Sequence, residues 1–132
     1  MTAHQTLLPA GWERPKGYAN GVSAQGRLVF TAGIVGWDEQ QRFVSDDMVG
    51  QFEQVLANTV AILAEAGALP EHIVRMTWYI TDREEYVNNL AAIGQIYKKI
   101  IGKVFPAMAV VEVTALVEPR ARIEIETTAV IP

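Results

Sequence analysis

The chain has 132 residues, half of them hydrophobic, with 15 acidic and 11 basic side chains, a net charge of −4 and no cysteine. This length predicts a single domain over residues 1–132, with enough apolar residues for a substantial core. The lack of cysteine excludes disulfides and thiolate chemistry, and the acidic balance argues against nucleic acid as a partner.

The sequence also lacks the signals of a membrane protein or a metalloprotein. No apolar run is long enough to span a bilayer, and the N-terminal segment lacks the basic and apolar regions of a signal peptide. We therefore expect a cytoplasmic protein without a membrane partner. His4 and His72 have no second histidine at ligand spacing, and no glycine loop suits a phosphate. No metal and no other cofactor is expected.

The first predicted elements are two short strands within residues 17–36. Alternating and β-branched residues support the two strands, and Gln25-Gly26 supplies the turn around Ser23–Gly26 that joins them. After a polar loop at 37–44, a helix is predicted over 46–66. Its apolar side chains recur at steps of three and four residues: Val49, Phe52, Leu56, Val60 and Leu63.

A strand and a second helix follow in the middle of the chain. Residues 72–80 alternate, and both faces are fairly apolar, which predicts a central strand. A helix then runs from Thr81 to about Gly102, with Thr81 and Glu84 at the spacing of a capping box.

Two strands near the end of the chain place carboxylates among apolar residues. The strand at 105–113, FPAMAVVEV, has one face with Met108, Val110 and Glu112. The strand at 122–130, RIEIETTAV, has one face with Arg122, Glu124 and Glu126. Since the opposite faces hold small aliphatic residues, we expect the helices to cover those and the carboxylates to point to the helix-free face.

The order of elements predicts an α+β fold, a mixed β-sheet with two helices on one face. The other face is also largely apolar, so a homo-oligomer is expected to bury it. A buried carboxylate must be paired, hydrogen-bonded or protonated. Pairing with Arg75, Arg120 or Arg122 is the favoured role of Glu112 and Glu126, whereas for Glu124 structural and catalytic roles both stay open.

The two final strands resemble the Rid family, also called YjgF or endoribonuclease L-PSP. The resemblance rests on FPAMAVVEV at 105–113 and RIEIETTAV at 122–130, with GYANGV at 17–22 and TAG at 31–33. Members of this family are enamine/imine deaminases. The resemblance implies a bacterial chorismate mutase-like fold and a homotrimer, with small-molecule clefts between neighbouring subunits.

The same resemblance implies roles for individual residues. A glutamate on the last strand, here Glu124, helps to place the hydrolytic water and is the expected catalytic residue. The expected substrate-binding residues are Tyr18, Ala32, Gly33, Met108 and Val110.

Met108 departs from the family pattern. An arginine at that position grips the substrate carboxylate in active members, and methionine offers a flexible apolar surface instead of a bidentate cation. Either Arg75 or Arg122 could substitute for the arginine, although each is also a candidate partner for a glutamate. Lys16-Gly17-Tyr18 likewise stands where the family has Gly-Pro-Tyr.

Three functions are compatible with this sequence. The first is hydrolysis of an enamine or imine that is less acidic and more apolar than an amino-acid imine, with Glu124 as general base. The alternative is a non-catalytic trimer that binds a small metabolite. The endoribonuclease or translation-inhibitor role in the family name is disfavoured by the acidic charge and the lack of a basic surface.

Overall fold

The computed structural model describes residues 4–132. Our expectation about a signal peptide concerns in part residues 1–3, which lie outside this range. Among the described residues, no helix combines the length and the apolar character that crossing a membrane requires.

Seven strands and three helices make up the described chain, with a short 3₁₀ helix at Pro70–His72. In chain order they are β1 Gln5–Leu7, β2 Gly21–Ser23, β3 Arg27–Phe30, β4 Ile34–Val35, α1 Met48–Glu65, β5 Ile73–Ile80, α2 Arg83–Asn88, α3 Leu90–Ile100, β6 Ala107–Glu112 and β7 Ile123–Ile131.

Five of the strands form one mixed sheet. The strand order is β3-β7-β5-β6, and β4 pairs with β7 further along the same edge as β3. β5 is parallel to β6 and antiparallel to β7, so it lies inside the sheet as predicted. The α+β class with a mixed sheet is thereby confirmed.

The core lies between one face of this sheet and the two longer helices. Phe52 and Leu56 of α1 are fully buried, and Phe52 packs on Trp78 of β5 with ring centroids 4.9 Å apart. On this face the buried side chains of β7 are Ile123, Ile125, Thr127 and Ala129, and Val130 is buried on the other face. The predicted helix-covered face of the last strand is therefore correct, because these alternate residues remove their apolar surface from water there.

The two short strands predicted within residues 17–36 are present as β2 and β3, on either side of the predicted turn, but they do not pair with each other. β2 pairs with β1 in a separate two-stranded sheet, with Thr6 opposite Val22. β3 instead pairs with the C-terminal strand β7, where Val29 lies opposite Ala129. This long-range pairing directs Val29 towards the core, which a local hairpin with the polar turn could not achieve.

Both predicted helices differ at their ends from the expected limits. α1 begins at Met48, because the side chain of Asp47 accepts a hydrogen bond of 2.7 Å from Gly50 N. The second helix is divided at Asn89 into α2 and α3. The N-cap of α2 is Asp82, whose carboxylate accepts a hydrogen bond of 3.1 Å from Glu85 N. The expected capping box at Thr81 therefore does not form.

Candidate functional site

The orientation of β6 differs from the prediction. Met108 lies beside Met76 and Val110 beside Trp78 in the parallel pairing with β5, and Met76 and Trp78 are buried under the helices. Cross-strand neighbours point to the same side of a sheet. Met108, Val110 and Glu112 therefore lie on the helix-covered side, because the register follows the large apolar side chains of β5.

A cleft of about 780 Å³ opens on this side of the sheet, between α3 and the beginning of β6. This volume falls in the range of small-molecule sites. Its walls are mostly apolar and include Trp78, Leu90, Ile93, Met108 and Val110. Tyr18 lies at the same cleft, so the structure brings together three of the predicted substrate-binding residues.

Tyr18 is positioned by the backbone on either side of it. Ala19 N donates a hydrogen bond of 2.9 Å to Pro106 O, which fixes this segment beside the start of β6. Gly17 has a φ of 84°, a left-handed conformation that favours glycine. Tyr18 is 41% exposed and lines the cleft.

The polar groups of the cleft are the indole N–H of Trp78, the ammonium groups of three lysines and the hydroxyls of Tyr18, Tyr86 and Tyr97. Trp78 is 2% exposed, and its indole N–H has no acceptor among the described residues. At the entrance stand three lysines, Lys16, Lys98 and Lys103, and none of the described side chains lining the cleft is acidic. Tyr97 is already satisfied, since its hydroxyl donates to Val104 O at 2.7 Å, and burial raises its pKa.

Glu124 lies on the opposite, helix-free side of the sheet. It pairs with Tyr79 of β5 and with Val35 of β4. Gly33, just before β4, lies so close that a Cβ added there would collide with Glu124 Oε2. The half-buried Glu124 carboxylate has no hydrogen-bond or ion-pair partner within residues 4–132. It is therefore available to a group from outside the chain.

The other two strand glutamates are occupied. Glu126 accepts a hydrogen bond of 2.9 Å from the Tyr79 hydroxyl, and this bond raises the pKa of Tyr79. Glu112 accepts from Arg83 N at 2.7 Å. Within one chain the partners of these glutamates are thus a phenol and a backbone amide, and not the arginines that we expected.

Neither candidate arginine reaches the Met108 cleft within one chain. Arg122 Nε bonds Glu85 Oε1 at 2.9 Å. Arg75 shares the alternation of Thr77 and Tyr79, so it lies on the helix-free side and away from Met108. No cluster of three or more potential metal ligands occurs in the part of the chain that the structure describes.

The predicted site residues therefore form two groups on opposite faces of the sheet. Tyr18, Met108 and Val110 line the cleft, whereas the neighbouring Gly33 and Glu124 lie across the sheet from it. Ala32 directly precedes Gly33 and is exposed. A single chain does not bring the two groups together.

Sequence reasoning missed the polar features of the cleft. Trp78 looked like one more core residue, because it alternates with Met76 and Ile80. Lys98 and Lys103 are five residues apart on either side of Gly102, so they looked like a solvated helix end. Their spacing contains no signal of the cleft, which forms when α3 packs beside β6.

Comparison with known proteins identifies the family. The sequence model of the family described as Endoribonuclease L-PSP matches residues 13–131. Reactive Intermediate Deaminase A, chloroplastic, from Arabidopsis thaliana is 34% identical over 113 residues, which are 85% of this chain and 57% of that protein.

Two solved structures extend this similarity to the fold. YyfB from Yersinia pestis, a Rid protein of unknown function, superimposes with a TM-score of 0.87 at 33% identity, over 98% of this chain and 100% of that one. The Escherichia coli protein TdcF with bound serine superimposes with a TM-score of 0.69 at 28% identity, over 97% and 99% of the two chains. Sequence and structure agree that this chain belongs to the Rid (YjgF, endoribonuclease L-PSP) family.

Proposed function

We propose that the protein hydrolyses a reactive enamine or imine, with Glu124 as the general base. The observation that supports this role is the free, half-buried carboxylate of Glu124 beside Gly33, while the neighbouring glutamates are already hydrogen-bonded. A carboxylate held in this way can accept a proton from water. The name of the Arabidopsis relative is consistent with this chemistry.

The reaction converts C=NH and water into C=O and ammonia. A water oxygen attacks the imine carbon while Glu124 takes one proton from that water and passes it to the nitrogen, which gives a carbinolamine. Glu124 then moves the hydroxyl proton to the nitrogen as the C–N bond breaks. Ammonia leaves, and the carboxylate returns to its starting form.

The complete site is proposed to form between subunits of a homotrimer. Glu124 and the cleft lie on opposite sides of one sheet, so a second copy has to supply one of the two groups. The helix-free side also exposes large apolar side chains of β3, with Leu28 58% and Phe30 66% exposed. Burying such a patch against another copy is a common reason for assembly.

Met108 is proposed to change the substrate. The cleft wall at this position is apolar, and neither Arg75 nor Arg122 of the same chain replaces the missing cation. TdcF has been crystallised with serine, a small polar amino acid. The apolar cleft around Met108 favours a molecule with a larger apolar body and with no carboxylate beside the C=N carbon.

The first test measures hydrolysis of imines generated in solution by an amino-acid oxidase. We expect the natural protein to act weakly on amino-acid imines, and Met108→Arg to act on them about tenfold faster, because a charge-assisted pair then holds the carboxylate. Met108→Leu, which stays apolar, separates the effect of charge from that of a changed side chain. If neither the natural protein nor Met108→Arg accelerates imine loss, the hydrolase proposal is wrong and metabolite binding without turnover replaces it.

A second test concerns the space beside Glu124. Gly33→Ala places a methyl group where the carboxylate now lies, so the carboxylate has to rotate away. Since a misplaced catalytic group costs rate, we expect hydrolysis to slow by about tenfold or more. The melting temperature should change little, because the end of a flexible side chain can move. Unchanged hydrolysis would show that the present position of the carboxylate is not needed.

A further inference from the structure

The cleft around Met108 combines an apolar wall, an unused hydrogen-bond donor and a cationic entrance. The donor is the indole N–H of Trp78, which has no acceptor among residues 4–132 and is almost completely covered by neighbouring atoms, so an acceptor reaches it only when the cleft wall shifts. The cations are Lys16, Lys98 and Lys103. None of the three forms an ion pair with another described residue.

A buried donor without a partner is costly, and a bound acceptor would remove that cost. In the cleft such an acceptor would lie among apolar side chains such as Ile93 and Val110, so the rest of the molecule near it must be apolar as well. The lysines stand at the entrance, where a charged end can keep part of its hydration.

We propose that the cleft binds an elongated amphipathic acid. Its apolar body contacts Met108, its carbonyl or imine group accepts a hydrogen bond from the Trp78 indole, and its carboxylate lies beside the lysines. The inference rests on the proposed function in taking this cleft as the place of the reacting molecule. It also refines the substrate, because the acid group is retained but lies away from the C=N carbon.

Three related probes separate the parts of this proposal. The first, 4-oxo-4-phenylbutyrate, has a phenyl body, a ketone and a distant carboxylate, and it resembles the product of imine hydrolysis. In 4-phenylbutyrate the ketone is missing, and in 4-oxo-4-phenylbutanamide the charge is missing. We expect isothermal titration calorimetry to show that the keto acid binds at least fivefold more tightly than either of the others.

Matched variants assign the two contacts. Changing Lys16, Lys98 and Lys103 together to glutamine should weaken binding of the keto acid about tenfold, with little effect on binding of the amide. Lys99→Gln is the control, because Lys99 bonds Glu53 at 3.3 Å and does not line the cleft. Trp78→Phe should weaken binding of the keto acid about fivefold more than it weakens binding of 4-phenylbutyrate. Comparing two ligands on one variant cancels any general loss of packing.

Two results would overturn the inference. One is equal binding of acid and amide, and the other is a triple lysine variant that binds the keto acid as tightly as Lys99→Gln does. Tight binding of the keto acid without any imine hydrolysis would contradict the proposed function while supporting this cleft assignment. Imine hydrolysis that is unchanged in the lysine and Trp78 variants would support the proposed function and contradict this cleft assignment.

Discussion

Replacing Glu124 by glutamine is expected to lower the rate of imine hydrolysis by about 100- to 10,000-fold, the usual contribution of a positioned general base. Glutamine keeps nearly the shape of the side chain but cannot accept a proton from water. Because no described residue bonds the Glu124 carboxylate, the substitution removes no contact within the chain. The melting temperature and the oligomeric state should therefore stay close to those of the natural protein.

The matched control for this experiment is Glu126→Gln. Glu126 lies two residues away on the same face of β7, and its carboxylate accepts from the Tyr79 hydroxyl. A glutamine oxygen can still accept that bond, so hydrolysis should change by less than about threefold. Both variants are compared by the rate of loss of an oxidase-generated imine, in the Met108→Arg background that is expected to accept such imines. If Glu124→Gln retained the rate of that background, or if Glu126→Gln lost as much, the assignment of the base would be wrong.

The fold could be predicted from the sequence wherever apolar periodicity decided the structure. The α1 stripe and the alternation of β7 predicted most of the buried residues, since Phe52, Leu56, Ile123 and Ile125 are fully buried, whereas Val49 and Val60 of the stripe are half-buried. The pairing of β1 with β2 and the break at Asn89 depend instead on long-range packing and on local capping, and both were missed.

The face of β6 shows why the site was harder to predict than the fold. Both alternating sets of this strand are apolar in their first half, so its own pattern fits either orientation. The register against β5 decides it, since Met108 and Val110 must match Met76 and Trp78. The motif supplied the residues of the candidate site, whereas the separation of Glu124 from the cleft became apparent from the sheet.

Because Glu124 and the cleft lie on opposite faces of one sheet, we expect two inactive variants to restore each other's activity in a mixed trimer. Two variants should each be inactive alone: Glu124→Gln, which lacks the base, and Gly94→Trp, which fills the cleft. Gly94 lies on α3 at the cleft, and a Cβ added there has no atom within 4 Å, so the large ring can enter open space. Replacing a helical glycine also costs no backbone stability.

When the two variants are produced together in equal amounts, activity should return. A functional site needs an open cleft from the Glu124→Gln chain and a base from the Gly94→Trp chain, and random assembly of a cyclic trimer gives this pairing at about one quarter of the sites. Size-exclusion chromatography with light scattering checks that trimers form, and trimers purified separately and mixed without exchange serve as the inactive control. If co-assembled trimers stay inactive while each variant remains folded, base and cleft do not meet across the subunit boundary. In that case the opposite-face arrangement is not bridged by a second copy, and Glu124 cannot act on a molecule held in the cleft.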